Sequence, residues 1–355
     1  MKFITAATLA FALAGCATAQ SKEARPATEK PAPDEPMFAA TEVESRGSVT
    51  VGGVAIPYRA VAGTLVIHPK GWDDTVPIER KRGAKDGGDD AEDVPNSEAS
   101  MFYTAYFKEG APADSRPVTF LFNGGPGSPT LWLHMGAYGP VRVETPDLAH
   151  GSAPYRTVAN DQSLLDVSDL VFVDAPGTGF GRVAGKDKDK AWFGVDQDIH
   201  AFTVFVRDFL SKYGRWKSPK YLYGESYGTM RAAGMTLALQ RQDIDLNGVI
   251  LLSDILNWDL IPDDPQVNPG VDLPYVVSLP TYAATAWYHK RIAGNRPDLP
   301  SFLDEVERFA TTDYAIALMK GNDLPDAERQ AVAARLHAYT GLPMDYLLKT
   351  NLRIE

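Results

Sequence analysis

The sequence contains a single cysteine, Cys16, among 355 residues. One cysteine excludes an intramolecular disulfide, so the stability of the folded body must come from packing. Basic residues are also few, because 35 Lys and Arg stand against 46 Asp and Glu and give a formal net charge of −11. A surface that binds phosphate groups carries the opposite sign. We therefore expect no nucleic-acid partner.

The chain begins with an apolar run that is too short to span a bilayer as a mature helix. Lys2 gives it a basic start, and the run extends from Phe3 to Leu13. Residues 1–20 therefore predict a signal peptide. The run ends in Leu13-Ala14-Gly15-Cys16, which resembles the lipobox of bacterial lipoproteins and implies lipidation of Cys16. The alternative is ordinary cleavage after Ala17-Thr18-Ala19.

Both alternatives take the protein out of the cytosol. We expect a periplasmic protein, or a lipoprotein anchored to the outer membrane, in a Gram-negative bacterium. The only expected contact with a membrane is through this possible lipid anchor.

Large apolar residues are almost absent from Ser21 to Arg46. Such a segment cannot bury enough surface to offset its ordering entropy, so residues 21–47 predict a disordered tether. Order is expected from Ser48, because Val49-Thr50-Val51 and Ile56 to Ile67 alternate like paired antiparallel strands. The charged, glycine-rich stretch from Arg80 to Ser100 indicates a solvated loop.

Four short apolar runs follow: Val118 to Phe122, Leu170 to Val173, Tyr221 to Tyr223 and Val249 to Leu252. Runs that are nearly continuous in apolar residues are typical of strands covered on both faces in a parallel sheet. Helical patterns separate them, most clearly from Asp196 to Tyr213, with Asp196 as its cap and Gly214 at its end. Alternating strands and helices predict an α/β core over residues 48–255.

The pattern changes after this core. Prolines up to Pro280 are expected to break the chain, and helical segments follow at Thr281 to Ala293, Pro300 to Met319 and Asp326 to Thr340. Residues 256–355 therefore predict a helical cap over the sheet. No further core strand is evident before Glu355.

The strongest chemical signal is Gly224-Glu225-Ser226-Tyr227-Gly228, which follows an apolar strand and precedes a helix that is expected to begin near Thr229. A nucleophile at the tip of such a turn adopts strained dihedral angles, and glycine on either side leaves room for the strand and the helix. The turn exposes the serine hydroxyl and directs the helix N-terminus at the developing oxyanion. Ser226 is the predicted nucleophile.

Two other strands end in loops rich in glycine and proline. Asn123-Gly124-Gly125-Pro126-Gly127 could supply the second backbone donor of an oxyanion hole. Asp174-Ala175-Pro176-Gly177-Thr178-Gly179-Phe180 follows the next strand. Because ligands in open α/β sheets bind outside the carboxyl ends of the strands, the three loops together predict one site.

The order and spacing of these three motifs resemble the serine carboxypeptidases, peptidase family S10, and especially their bacterial members. The resemblance implies an α/β-hydrolase fold, a mostly parallel sheet with flanking helices and a helical cap insertion. It implies a serine-type carboxypeptidase that removes C-terminal residues of peptides through an acyl-enzyme on Ser226. The expected partner is a peptide substrate, and neither a cofactor nor a metal ion is expected.

The resemblance also implies roles for the neighbours of the nucleophile. The backbone N–H groups of Gly125 and Tyr227 match the oxyanion hole of the family. Asn123 and Glu225 match side chains that hydrogen-bond the terminal carboxylate of the substrate, assisted by the backbone of Gly124. A glutamate donates to a carboxylate only when it is protonated, so this role favours acidic conditions.

Three positions depart from the eukaryotic pattern. Ser128 stands where those relatives have cysteine, Ala137 where they have another acid of the carboxylate network, and Leu121 where they have tryptophan. We therefore expect weaker recognition of the C-terminal carboxylate here.

An acid and a histidine should follow the nucleophile in this chain order. Only His289 and His337 come after Ser226, and both lie in helical cap patterns. No catalytic His or Asp is assigned. The expectation is a C-terminally truncated chain whose remaining core strands are missing and which is not competent by itself.

Two other functions remain open. One is an esterase or acyl hydrolase on the same fold, which the half-present carboxylate clamp would separate from a carboxypeptidase. The other is a non-catalytic envelope lipoprotein that binds peptides.

Overall fold

The computed structural model describes residues 36–72, 95–145, 153–260, 270–292 and 298–354. Its strands are β1 (Glu42–Val51), β2 (Val54–Ile67), β3 (Glu98–Lys108), β4 (Val118–Phe122), β5 (Val141–Val143), β6 (Thr157–Ala159), β7 (Asp169–Val173), β8 (Arg182–Ala184), β9 (Lys220–Glu225) and β10 (Gly248–Leu252). The four apolar runs singled out in the sequence are β4, β7, β9 and β10. Each is confirmed as a strand.

The described strands form a mixed sheet with the order β1-β2-β3-β7-β4-β9-β10, and β8 pairs with one end of β3. The first three strands are antiparallel, whereas β7, β4, β9 and β10 run parallel. Because β4, β7 and β9 are parallel neighbours, the loops that follow them meet at one edge of the sheet. Strands β5 and β6 form a separate small ribbon.

The helices of the described residues are α1 (Leu131–Leu133), α2 (Lys188–Trp192), α3 (Val195–Lys212), α4 (Tyr227–Gln240), α5 (Leu273–Tyr288), α6 (Leu299–Phe309), α7 (Ala315–Lys320), α8 (Asp326–Thr340) and α9 (Met344–Lys349). None of these is long and apolar enough to cross a bilayer. A one-turn π-helix, His134–Tyr138, follows α1, and another joins α6 to α7.

The residues pack into separate apolar cores. One core lies between the sheet and helices α3 and α4, and includes Phe120, Phe205 and Met235. A smaller one covers the other face of the sheet around Leu170. Helices α5 to α9 enclose their own cluster, which includes Tyr314. The sheet and the helical segment therefore each have an interior of their own.

Some boundaries differ from the sequence-based expectation. Strand β1 begins at Glu42, inside the predicted tether, because the Glu42 backbone pairs with Gly63. The Glu42 carboxylate also lies 2.6 Å from Lys212 Nζ and accepts from the Tyr213 hydroxyl at 2.9 Å. Polar composition did not reveal these long-range partners. Residues 1–35, including Cys16, and residues 73–94, which include most of the predicted charged loop, lie outside the described residues. The predicted end of that loop is wrong, because Glu98–Ser100 is buried and belongs to β3.

Two helix predictions need correction. Pro280 does not break the chain but lies inside α5, which begins near Pro274. Helix α3 has Gly194 at its N-cap with no side-chain cap, so Asp196 lies in the first turn and is not the cap. The predicted end is confirmed, since Gly214 has φ 63° and the Arg215 amide donates to Leu210 O at 2.8 Å.

His134 predicts an acid-sensitive stability. Burial lowers its pKa from 6.5 to about 4, and its Nε2 lies 2.7 Å from the Tyr106 hydroxyl with its ring stacked on Phe172. As pH falls, the unfolded chain binds a proton near 6.5 while the folded ring stays neutral. The free energy of unfolding should therefore decline between pH 6.5 and 4, by up to about 3 kcal/mol from this group.

Urea unfolding at pH 7, 5.5 and 4 tests this expectation against His134→Phe. The variant keeps an aromatic ring on Phe172 but has no titrating group, so its stability should depend less on pH. Parallel pH dependences in the two proteins would contradict the prediction.

Candidate active site

Ser226 forms the tip of a strained turn between β9 and α4. Its φ of 57° and ψ of −127° are rare for a residue other than glycine. Several bonds hold this conformation. The Ser226 amide donates to Leu252 O at 2.9 Å, and Ser226 O accepts from the Thr229 amide and hydroxyl at 2.9 and 2.7 Å. The predicted strand–turn–helix is confirmed, although the helix begins at Tyr227 rather than near Thr229.

The flanking glycines are required by close packing. A Cβ on Gly224 in β9 would overlap the carbonyl oxygen of Gly228 in the first turn of α4. A Cβ on Gly228 would lie 2.9 Å from Phe122 O. Side chains at these positions would therefore separate β9, α4 and β4, as the sequence pattern predicted.

The loop after β4 packs directly against this turn. A Cβ on the buried Gly124 would overlap the Tyr227 nitrogen and lie 2.7 Å from Glu225 O. Gly125 has φ 107°. The Gly124 carbonyl accepts from the Ser128 amide at 3.1 Å, and in a trans peptide this orients the Gly125 N–H in the opposite direction.

Two backbone donors are thus available beside the serine. Within the described parts of the chain, neither the Gly125 amide nor the Tyr227 amide donates to another residue. Tyr227 is the first residue of α4, where helical N–H groups have no intrahelical partner. Two such amides, one of them at a helix N-terminus, suit an oxygen that acquires negative charge.

Asn123 and Glu225 are hydrogen-bonded to each other. Asn123 Nδ2 donates to Glu225 Oε2 at 2.9 Å, and the Gly124 amide lies 3.5 Å from the same oxygen. Asn123 is 2% exposed, and its Oδ1 accepts from the Leu133 amide at 3.2 Å. The amide is therefore fixed, and Glu225 is only partly buried beside Ser226.

The third loop supports the other two. Asp174 accepts from the Thr130 amide at 2.7 Å and from the Phe180 amide at 3.4 Å, and burial raises its pKa. Thr130 in turn accepts from the Asn123 amide at 3.2 Å. Gly179 packs so closely that a Cβ there would overlap Asp174 Oδ2. The predicted meeting of the three loops is confirmed.

One buried ion pair was not identified from the sequence. Arg231 on α4 pairs with Asp198 on α3 through two bonds of 2.7 and 3.0 Å. It also donates to Asn123 O at 2.8 Å. A signal was present, because Arg231 interrupts a helix of small and apolar residues four positions after Tyr227. A buried charge of this kind requires a partner.

A cleft of about 520 Å³ opens beside the turn. Its walls come from the three loops and the start of α3, and include Pro126, Pro176, Trp192, Phe193 and Tyr227. The cleft can hold an apolar group next to the free amides.

The described histidines lie elsewhere, and none of them is hydrogen-bonded to Ser226: His68, His134, His200, His289 and His337. His289 is exposed at the end of α5, and His337 is exposed on α8, with Nδ1 2.7 Å from Leu342 O.

The parallel strands, the nucleophile turn and the order of the loops define an α/β-hydrolase. The sequence model of the serine carboxypeptidase family matches residues 92–252, which include all three loops of the site.

Curated proteins to which parts of the chain are similar are also serine carboxypeptidases by name. The chain is 30% identical over 130 residues to a pheromone-processing carboxypeptidase of Saccharomyces cerevisiae, which covers 35% of this chain and 16% of the relative. It is 29% identical over 179 residues to serine carboxypeptidase-like 36 of Arabidopsis thaliana, covering 47% and 34%. It is 30% identical over 195 residues to a retinoid-inducible serine carboxypeptidase of Homo sapiens, covering 51% and 38%. The chain thus matches well under half the length of these relatives.

Proposed function

We propose that this chain carries the nucleophile, the oxyanion hole and the carboxylate-binding pair of a serine-type carboxypeptidase. The observation that carries the proposal is the 2.9 Å hydrogen bond between Asn123 and Glu225, directly beside the strained Ser226. A nucleophile turn alone would suit any acyl hydrolase. An amide and a carboxyl group next to it support a substrate that ends in a free carboxylate.

In the proposed reaction, Ser226 Oγ attacks the carbonyl carbon of the last peptide bond, and its proton passes to a base. The carbonyl oxygen becomes an anion that accepts hydrogen bonds from the amides of Gly125 and Tyr227. Collapse expels the C-terminal amino acid, whose nitrogen takes the proton from the base, and leaves an ester on Ser226. Water then hydrolyses this ester and restores the hydroxyl.

Asn123 and Glu225 are proposed to hold the carboxylate of the departing residue. Asn123 Nδ2 has a second hydrogen beyond the one donated to Glu225, and the protonated Glu225 carboxyl can donate as well. Protonated Glu225 also avoids repulsion between two carboxylates. Activity on peptides should therefore rise as the pH falls, until the base itself is protonated.

The base and its orienting acid are proposed to come from segments that pack along β10. Such continuously apolar strands are usually covered on both faces. Yet among the described residues its side chains stay 37–40% exposed: Val249, Ile250, Leu251 and Leu252. The end of β10 lies next to the nucleophile, because Leu252 O accepts the Ser226 amide. A group placed just beyond this strand would be near Ser226.

The proposal is tested by comparing kcat/KM for a blocked dipeptide that has a free C-terminal carboxylate with kcat/KM for the same dipeptide as its C-terminal amide. For the wild type, kcat/KM should favour the acid, and the preference should grow as the pH is lowered. Glu225→Gln keeps a hydrogen-bond donor without needing a proton. It should therefore flatten the loss of peptidase activity at neutral pH and leave ester hydrolysis nearly unchanged.

Glu109→Gln provides the control, because Glu109 is exposed and pairs with Arg46 at the far end of β3. It should show the wild-type pH profile. Equal rates on acid and amide at every pH, in both the wild type and Glu225→Gln, would exclude a carboxylate clamp.

An esterase or acyl hydrolase would then be the better assignment. One observation favours it as the second candidate. The position of the second acid is Ala137, and among the described residues no other carboxyl group is hydrogen-bonded to Glu225. Failure of Ser226 to react in a protein that carries the base would favour the third candidate, a peptide-binding envelope protein.

Export and lipidation are also proposed, from the lipobox-like residues that end at Cys16. Cells fed labelled palmitate should incorporate the label into the wild type and not into Cys16→Ser. The lipidated protein should fractionate with membranes. A soluble mature form that begins at Gln20 would show that ordinary cleavage occurs instead.

A further inference from the structure

Arg231 and Asp198 form an almost completely buried ion pair behind the nucleophile turn. Arg231 is 1% exposed and Asp198 is 6% exposed. Arg231 Nε donates to Asp198 Oδ2 at 2.7 Å and Nη2 donates to Oδ1 at 3.0 Å. Such a bidentate pair fixes the plane of the guanidinium group.

The remaining donors of Arg231 reach the loop after β4. Nη1 donates to Asn123 O at 2.8 Å, and Nη2 lies 3.3 Å from Pro126 O. These two carbonyls enclose Gly124 and Gly125. A single side chain thus holds both ends of the segment that presents the Gly125 amide.

The same side chain is rigidly linked to the other proposed donor. Arg231 lies one helical turn after Tyr227 on α4, so both are on the same face of that helix. The guanidinium carbon lies 5.4 Å from the centre of the Tyr227 ring and 4.2 Å from that of Phe202. Planar contacts of this kind suit arginine and not lysine.

We propose that the Arg231–Asp198 pair is a positioning device that sets the distance and angle between the two oxyanion-hole amides. This inference rests on the proposed function of Ser226. Neither residue touches the reacting atoms. Their effect on the reaction comes through the loop at Asn123–Pro126, because an oxyanion hole depends on donors that are oriented before the charge develops.

A second buried arginine offers a matched control. Arg215 is 2% exposed, bonds Asp169 Oδ2 through Nη1 at 2.5 Å, and donates to Arg116 O and Pro117 O at 2.8 and 3.3 Å. Its partners lie at the amino ends of β4 and β7, at the opposite edge of the sheet. Like Arg231, Arg215 is buried, pairs with an aspartate and donates to two backbone carbonyls, but it does not contact the site.

The rate at which a fluorophosphonate probe inactivates the protein measures how well the two oxyanion-hole amides are positioned. Arg231→Lys should lower the maximal inactivation rate by about 10- to 100-fold and leave the probe concentration for half-maximal rate nearly unchanged. Arg215→Lys should lower Tm about as much as Arg231→Lys does. When each protein is assayed well below its Tm, Arg215→Lys should keep the wild-type maximal inactivation rate and the wild-type probe concentration for half-maximal rate. A folded Arg231→Lys with the wild-type maximal rate would overturn the proposal, as would an equal loss in Arg215→Lys.

Asp198→Asn serves if Arg231→Lys does not fold, because it keeps the shape and one acceptor for Arg231. The maximal inactivation rate of Asp198→Asn should be at least several-fold lower than that of the wild type. Where Arg231→Lys also folds, the rate of Asp198→Asn should lie between those of Arg231→Lys and the wild type. A wild-type rate in folded Asp198→Asn would overturn the proposal.

Hydrogen–deuterium exchange provides a readout that does not need a reactive serine. Exchange across residues 123–130 should accelerate in Arg231→Lys or Asp198→Asn and not in Arg215→Lys. If a wild type that carries the catalytic base does not react with the probe, the proposed function fails, and exchange alone decides the positioning role. Unchanged exchange in this segment would then overturn it.

Discussion

In a protein that also carries the catalytic base, Ser226→Ala is expected to abolish labelling by a fluorophosphonate probe and to lower kcat for a blocked dipeptide by a factor on the order of 10⁶. The hydroxyl is the only atom group removed, and no side-chain hydrogen bond within the described residues depends on it. The strained backbone is held by amide and carbonyl contacts, so the fold should survive. In-gel fluorescence and hydrolysis assays measure the two effects.

Ser211→Ala is the matched control. Ser211 is exposed on α3, and its hydroxyl donates only to Arg207 O, at 3.1 Å. It should label and hydrolyse like the wild type. Labelling that persists in Ser226→Ala would mean that another residue is the nucleophile.

Gly124→Ala is expected to lower kcat/KM by about 10²- to 10³-fold, the loss seen when an oxyanion-hole donor is removed. The new methyl group would overlap the Tyr227 nitrogen and press on Glu225 O, both of which belong to the backbone and cannot rotate away. The loop must therefore move off the nucleophile turn. Gly125 moves with it.

Gly127→Ala isolates this effect within the same loop. A Cβ at Gly127 meets no atom within 4 Å, and its φ is outside the left-handed region. This variant should retain activity within a few-fold of the wild type. Similar losses in both variants would indicate that general loop flexibility, and not the approach of Gly124 to the turn, controls the rate.

The sequence was most informative where local patterns decide the structure. Continuous apolar runs located β4, β7, β9 and β10, and glycines around Ser226 located the turn, because both signals lie within a few consecutive residues. The meeting of three loops followed from parallel strand order. These features needed no knowledge of distant contacts.

Features that depend on distant partners were missed. Glu42 was placed in a tether, although Lys212 and Tyr213 order it from far along the chain. Pro280 was expected to break the chain before a helix at Thr281, yet α5 runs through it and tolerates the loss of one backbone bond. Asp198 and Arg231 are 33 residues apart and look like ordinary charged positions on two helices until the helices are packed together.

Among the strands that the structure describes, β10 is the last of the sheet, and its outer edge is unpaired. Four consecutive apolar residues, Val249–Leu252, carry no charge and suit a strand. An open edge of this composition is a template for pairing with another chain. A preparation in which nothing covers β10 should therefore self-associate as its concentration rises, and turbidity or light scattering would show it. A lysine at Ile250 should keep such a preparation dispersed, because charged side chains on edge strands oppose this pairing.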